Sequence, residues 1–205
     1  MNIGHLGDAF DFWKGSLMRT LANNLNNIKV FPMFTDENVP DTWNEARLGL
    51  YAQLLGVNVQ DILQQAVRFT TNTRGNYFQD IANNTDLFVD PDTGIEPLGG
   101  GNYQHIRLSE IAQLLPNDTN RVVLIYQHSF RKHNWTDACL QRIIHSHALK
   151  GCCGFAYRAG SVSMVLVARD QLRLENMYQV LHTMTTSLPD NLTRVLPIRC
   201  RADNG

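Results

Sequence analysis

Eight residues, Arg121-Val-Val-Leu-Ile-Tyr-Gln-His128, constrain the fold more than any other stretch of this chain. Val122 to Tyr126 is apolar at every position, without the in-out alternation of a half-solvated strand, so a strand here must bury both of its faces. A sheet carrying such a strand needs helices on both sides, which is the layered α/β architecture. A length of 205 residues suits one α/β domain spanning residues 1–205 and leaves little for a second core.

The rest of the chain supplies the layers. Phe10, Trp13, Leu17, Leu21 and Leu25 recur at helical spacing behind Asp8, a good amino-terminal cap, so a helix is expected over Asp8–Leu25. Ile28 to Phe34 reads as a short strand, held to an edge by Pro32, that delivers Thr35-Asp36 at its end. A helix with Trp43, Ala46, Leu50 and Leu54 inward stops at Gly56, and weaker helices are expected over Asp61–Phe69 and Arg74–Ile81. Leu87-Phe88-Val89 is a strand broken by Pro91, followed by a glycine-rich loop and a helix from Ser109 to Leu115. After the Val122 strand come a helix over Thr136–Leu149, two strands joined at Ala159-Gly160, a helix over Leu172–Met184 and a last edge strand in Arg194–Cys200. The alternation predicts a Rossmann-like, mostly parallel sheet flanked by helices and closed by an antiparallel hairpin.

In such sheets ligands bind beyond the carboxyl ends of the strands. Asp36, Asp90, Asp92, Gln127 and His128 all fall at those ends. Asp90-Pro-Asp92-Thr-Gly94-Ile-Glu96 sets three carboxylates within seven residues, a set able to hold a divalent cation such as magnesium, to accept hydrogen bonds from an amine, or simply to cap a turn. Gln127 and His128 are candidates for catalysis, His128 as base or ligand, and Arg131 and Lys132 just beyond them are candidates for phosphate contacts. Asp8, Asp11 and Lys14 stand at intervals of three, so one helix face presents two carboxylates and an ammonium, either as part of a site or as a helix cap at Asp8 with Asp11 paired to Lys14.

Charge narrows the partners. The net charge is −1, which gives no bulk attraction for polyanions, yet residues 1–103 carry a net of −6 and residues 104–205 a net of +5. That split fits a local acidic site beside a basic rim, or two halves that neutralise each other across a structural interface. Cys139, Cys152, Cys153 and Cys200 show no paired spacing, so neither a zinc site nor a disulfide framework is indicated and buried thiols are expected. The opening MNIGHLGDAFDFW lacks the regions of a signal peptide, and no apolar run reaches 18 residues, so a cytoplasmic protein without a membrane partner is expected. Neither a P-loop, nor a dinucleotide fingerprint, nor a nucleophile elbow is present.

The order of these parts resembles Rossmann-type S-adenosylmethionine-dependent methyltransferases, in particular the ribosomal-RNA adenine-N6 methyltransferases and the three-Cys-motif partner proteins. Gly7-Asp-Ala-Phe-Asp11-Phe-Trp-Lys14 is similar to an early helix motif of those families, Phe34-Thr-Asp36 to the end of their first strand, and Asp90-Pro-Asp92 to their Asp-Pro strand end. The strand Val122–Gln127 and the pair Gly154–Arg158 with Ser161–Arg169 complete the order. The resemblance implies Asp90 as acceptor for a target amine, Asp8, Asp11, Lys14 and Asp36 beside the cofactor, and Arg131, Lys132 and Arg158 on the phosphates of a nucleic acid or nucleotide. Two alternatives stand beside it: a metal-dependent nuclease or phosphodiesterase built on Asp90, Asp92, Glu96 and His128, and a degenerate module that only binds a nucleotide or a partner.

Overall fold

A computed structural model describes residues 1–36, 43–63, 68–78, 81, 84–128, 134–188 and 194–201. Its main sheet has six strands. In chain order the strands of the protein are β1 (Lys29–Pro32), β2 (Leu87–Asp90), β3 (Gly94–Ile95), β4 (His105–Ile106), β5 (Val122–His128), β6 (Cys153–Ala159), β7 (Val162–Ala168) and β8 (Val195–Cys200). The helices are α1 (Ala9–Leu21), α2 (Glu45–Leu55), α3 (Leu108–Leu114), α4 (Trp135–His145) and α5 (Gln171–Thr185).

Spatial order in the sheet is β1-β2-β5-β7-β6-β8, with β3 and β4 forming a separate two-stranded ribbon. The fold is α/β, and the sheet is mixed where a mostly parallel Rossmann-like one is expected. β1–β2 and β2–β5 pair in parallel, while β5–β7, β6–β7 and β6–β8 are antiparallel. The reason lies in the Gly160-Ser161 turn, which folds β7 back between β5 and β6. Among the described residues the space between β1 and β2 is bridged without another strand of the main sheet, so the parallel half stays at three strands.

The apolar run Val122–Tyr126 of β5 does what its pattern demands. Val122, Leu124 and Tyr126 point into one core with residues of α1, α2 and α5. Val123 and Ile125 point into the other, with residues of α3 and α4. Both prolines found in strands, Pro32 and Pro197, lie on the outer strands β1 and β8, where a missing N–H breaks no central ladder.

Several element boundaries differ from the sequence pattern. Where a helix over Asp61–Phe69 is expected, Val59–Asp61 makes a single 3-10 turn and Ile62 then bridges Val30 in parallel, while residues 64–67 lie outside the described residues. Arg74–Asn76 is likewise one turn, and residues 79 and 80 of the expected helix lie outside the described residues. α3 begins at Leu108, one residue before the expected start at Ser109, with Arg107 at the cap position and Glu110 reaching back to the Arg107 N–H at 2.8 Å. α2 is turned on its axis: Tyr51, Ala52, Leu54 and Leu55 are inward, whereas Ala46 and Leu50 are exposed. The thiols are not all free, because Cys153 and Cys200 form a disulfide and only Cys139 and Cys152 remain as buried thiols. No helix among the described residues is long and apolar enough to cross a membrane.

Candidate functional site

α1 starts where Asp8 accepts hydrogen bonds from the N–H groups of Phe10 at 2.8 Å and Asp11 at 3.2 Å. From that start the helix aims Asp11, Lys14 and Gly15 inward. Gly15 is a requirement of packing: a Cβ there would lie 1.8 Å from the carbonyl oxygen of Leu54, so α1 and α2 touch backbone to backbone. This close crossing brings Tyr51 of α2 and Lys14 of α1 to the same carboxylate.

That carboxylate is Asp90, the last residue of β2, only 1% exposed. Its Oδ2 accepts from Lys14 Nζ at 2.9 Å and from the Tyr51 hydroxyl at 2.6 Å. Lys14 Nζ also donates to Asp11 Oδ1 at 3.0 Å and lies 4.2 Å from the centre of the Tyr126 ring. The other oxygen of Asp90, Oδ1, is buried without a hydrogen-bond partner among the described residues. Burial pulls the Lys14 ammonium down, but Asp90 and Asp11 outweigh it and hold the pKa above its ordinary value, so the side chain stays charged. Tyr51 is raised well above the usual phenol range by burial and by Asp90, and remains a hydrogen-bond donor.

A pocket of about 160 Å³ opens on this arrangement, lined among others by Asp8, Asp11, Lys14, Asp90, Asp92 and His128, with Phe10 and Tyr126 as apolar walls. The ring of His128 meets Phe10 and Tyr126 edge-on, at centroid distances of 6.1 and 5.0 Å. Burial and the neighbouring Lys14 lower the pKa of His128, against the pull of Asp90 and Asp92. An NMR titration is therefore expected to place its midpoint below the ordinary value of about 6.5. The sign for stability follows. A histidine held neutral contributes fully above that unfolded-state value, and its contribution is lost as the pH falls below about 6.5. In Lys14→Met the midpoint should move up, and an unchanged midpoint would show that the ammonium does not reach the ring.

The remaining sequence candidates divide. Asp92 lines the pocket but is held by the Thr35 hydroxyl at 3.0 Å and by Gln104 Nε2 at 2.8 Å. Asp36 is not in the lining; its carboxylate accepts from the Ile3 N–H at 2.7 Å and pins the segment before α1. Gln127 is fully buried and braces the loop after β2, with Oε1 accepting from the Ile95 N–H at 2.7 Å and Nε2 donating to the carbonyls of Thr93 and His128. Its amide covers Gly94, whose φ is +112° and where a Cβ would lie 2.5 Å from the amide atoms. Arg158 stands on β6 outside the lining, while Arg131 and Lys132 lie outside the described residues.

The metal reading fares differently. Glu96 is not in the lining, and its carboxylate accepts from the Leu108 N–H at 2.9 Å. Among the described residues no group of three or more His, Cys, Asp or Glu side chains is placed to hold a metal ion. The place that a cation would take between Asp11 and Asp90 is filled by the Lys14 ammonium. S-adenosylmethionine fits no better. Drug-sized ligands fill roughly 300–1,000 Å³, more than this pocket holds, and Asp8, Asp11 and Asp36 already serve backbone groups or Lys14.

Tyr51 escapes a reading of the sequence, because it neighbours Leu50 in a helix whose apolar residues permit either of two inward faces. No protein-family model matches the chain, and no curated protein matches it either. A solved structure of a Legionella pneumophila protein assigned to the DUF519 family is similar over 97% of this chain and 98% of that one, at 10% identity and a TM-score of 0.34.

Proposed function

We propose that this methyltransferase-like α/β protein recognises an amine-bearing nucleobase, of a nucleotide or a nucleic acid, in the pocket at the end of β2. The observation that carries the reading is Asp90. Lys14 and Tyr51 saturate Oδ2, and Oδ1 is left as a buried acceptor with no donor among the described residues. A buried acceptor without a donor is a costly thing for a fold to keep, and an exocyclic amine of adenine or cytosine supplies the missing one. Phe10, Tyr126 and His128 offer the apolar and aromatic walls that a planar ring stacks on. The volume agrees, since a cavity of about 150 Å³ is enough for one aromatic ring.

Calorimetry with adenosine and cytidine, against inosine and uridine as amine-free partners, tests this. Adenosine or cytidine is expected to bind, and inosine and uridine to bind more weakly. Asp90→Asn should weaken the amine-bearing nucleoside by about 10- to 100-fold, the range of one hydrogen bond to a charged group. Lys14 and Tyr51 both donate, so they demand the oxygen of Asn and turn its NH₂ toward the incoming amine. Equal affinity of wild type and Asp90→Asn, or no binding of any nucleoside at millimolar concentration, would remove the reading.

A further inference from the structure

We propose that the Cys153–Cys200 disulfide is a thiol-sensitive clasp that decides whether β8 closes the edge of the sheet. The two cysteines lie directly opposite one another in the β6–β8 ladder, at the first residue of β6 and the last of β8, with Cα atoms 4.3 Å apart. Cys153 is buried at 6% exposure, but Cys200 is exposed, so a small thiol reaches one sulfur of the pair.

Without the bond, β8 rests on its ladder to β6 and on the partly buried Leu196 and Ile198 beside Val195. It is an outer strand paired on one side only, and its register against β6 shifts between Gly154 and Ala156. Pro197 has no N–H to give, and Val195 is the strand's one buried side chain. The ion pair from Arg199 to Asp137 on α4 is more than a third exposed on both sides and adds little. The other two thiols do not compete for the exchange: Cys139 is pushed up to about 11 by burial, and burial also raises Cys152.

The chemistry is ordinary thiol–disulfide exchange. An external thiolate attacks Cys200 Sγ, forms a mixed disulfide and expels the Cys153 thiolate, which takes up a proton. A second external thiolate attacks the outer sulfur of the mixed disulfide, releases Cys200 as a thiol and leaves as the oxidised reductant. Two electrons and two protons enter the protein for each disulfide formed outside it.

The test uses the purified full chain, air-oxidised and then treated with dithiothreitol. The denatured oxidised protein is expected to titrate two of its four cysteines as thiols, and the reduced protein four. On reduction the amides of Val195–Cys200 should lose hydrogen-exchange protection, with a fall in Tm of roughly 10 °C from the released chain entropy. Cys200→Ser should match the reduced protein and ignore dithiothreitol, which separates the clasp from other effects of reductant. Four thiols in the oxidised protein, full protection of β8 after complete reduction, or a Cys200→Ser protein that still responds to dithiothreitol would each overturn the proposal.

Discussion

Asp86→Ala is expected to destabilise the protein by about 3–5 kcal/mol, the range for removing one partner of a buried ion pair. Asp86 is fully buried just before β2 and gathers three separate parts of the chain. Arg173 of α5 grips both carboxylate oxygens, Nη1 to Oδ1 at 3.0 Å and Nη2 to Oδ2 at 2.7 Å. The N–H of Val122 at the start of β5 donates to Oδ1 at 2.8 Å, and the N–H of Asn26 ahead of β1 donates to Oδ2 at 2.6 Å. Alanine leaves the two backbone N–H groups facing an apolar methyl and the Arg173 guanidinium with only the carbonyls of Asn120 and Asn24. Against a total stability of roughly 5–15 kcal/mol, such a loss takes most of a typical margin. Urea denaturation measures it. Arg173→Ala should cost less, since the carboxylate then keeps its two backbone donors, and a loss below about 1 kcal/mol in Asp86→Ala would show that the gathering role is wrong.

The second large effect is expected in Lys14→Met. Methionine fills the space but leaves Asp11 and Asp90 as two carboxylates in one desolvated site, again with an expected loss of about 3–5 kcal/mol at pH 7. Its pH dependence is the distinguishing mark. Burial already raises the Asp11 carboxyl, and removing the ammonium that opposes this raises it further. A carboxyl whose folded pKa exceeds its unfolded value adds stability below the unfolded value, near 3.9, and loses it as the pH rises through the folded one. The deficit of Lys14→Met should therefore shrink steadily from pH 7 toward pH 5. Adding Asp90→Asn to Lys14→Met should recover part of the loss, a coupling that a double-mutant cycle reads directly. A deficit that does not change with pH would mean that Lys14 acts through packing alone.

Much of the architecture is legible in the chain because it follows from local pattern. The apolar run of β5, the Asp8 cap and the Pro91 break each act within a few residues. The meeting of Asp8, Asp11, Lys14, Asp90, Asp92 and His128 around one pocket follows from helix spacing and from the rule that strand ends face ligands. What is not legible depends on distance. The disulfide requires the register of β8 on β6, which no spacing of cysteines encodes. The mixed character of the sheet depends on where the β6–β7 hairpin docks, and a hairpin pattern reads alike at an edge or in the interior. Gln127 and Glu96 have the chemistry of reactive groups, yet each is spent on a backbone N–H that only the tertiary fold brings within reach.

The two halves of the sheet also differ in how far the chain must travel to build them. β6 and β7 meet across a two-residue turn, whereas β1 and β2 must find each other from opposite ends of the amino-terminal half. Closing a long loop loses more entropy before any contact rewards it, which slows parallel pairing relative to a hairpin. The β6–β7 pairing is therefore expected to form before the β1–β2 ladder. Asp90 is the last residue of β2, so the pocket is expected to take shape with that later pairing.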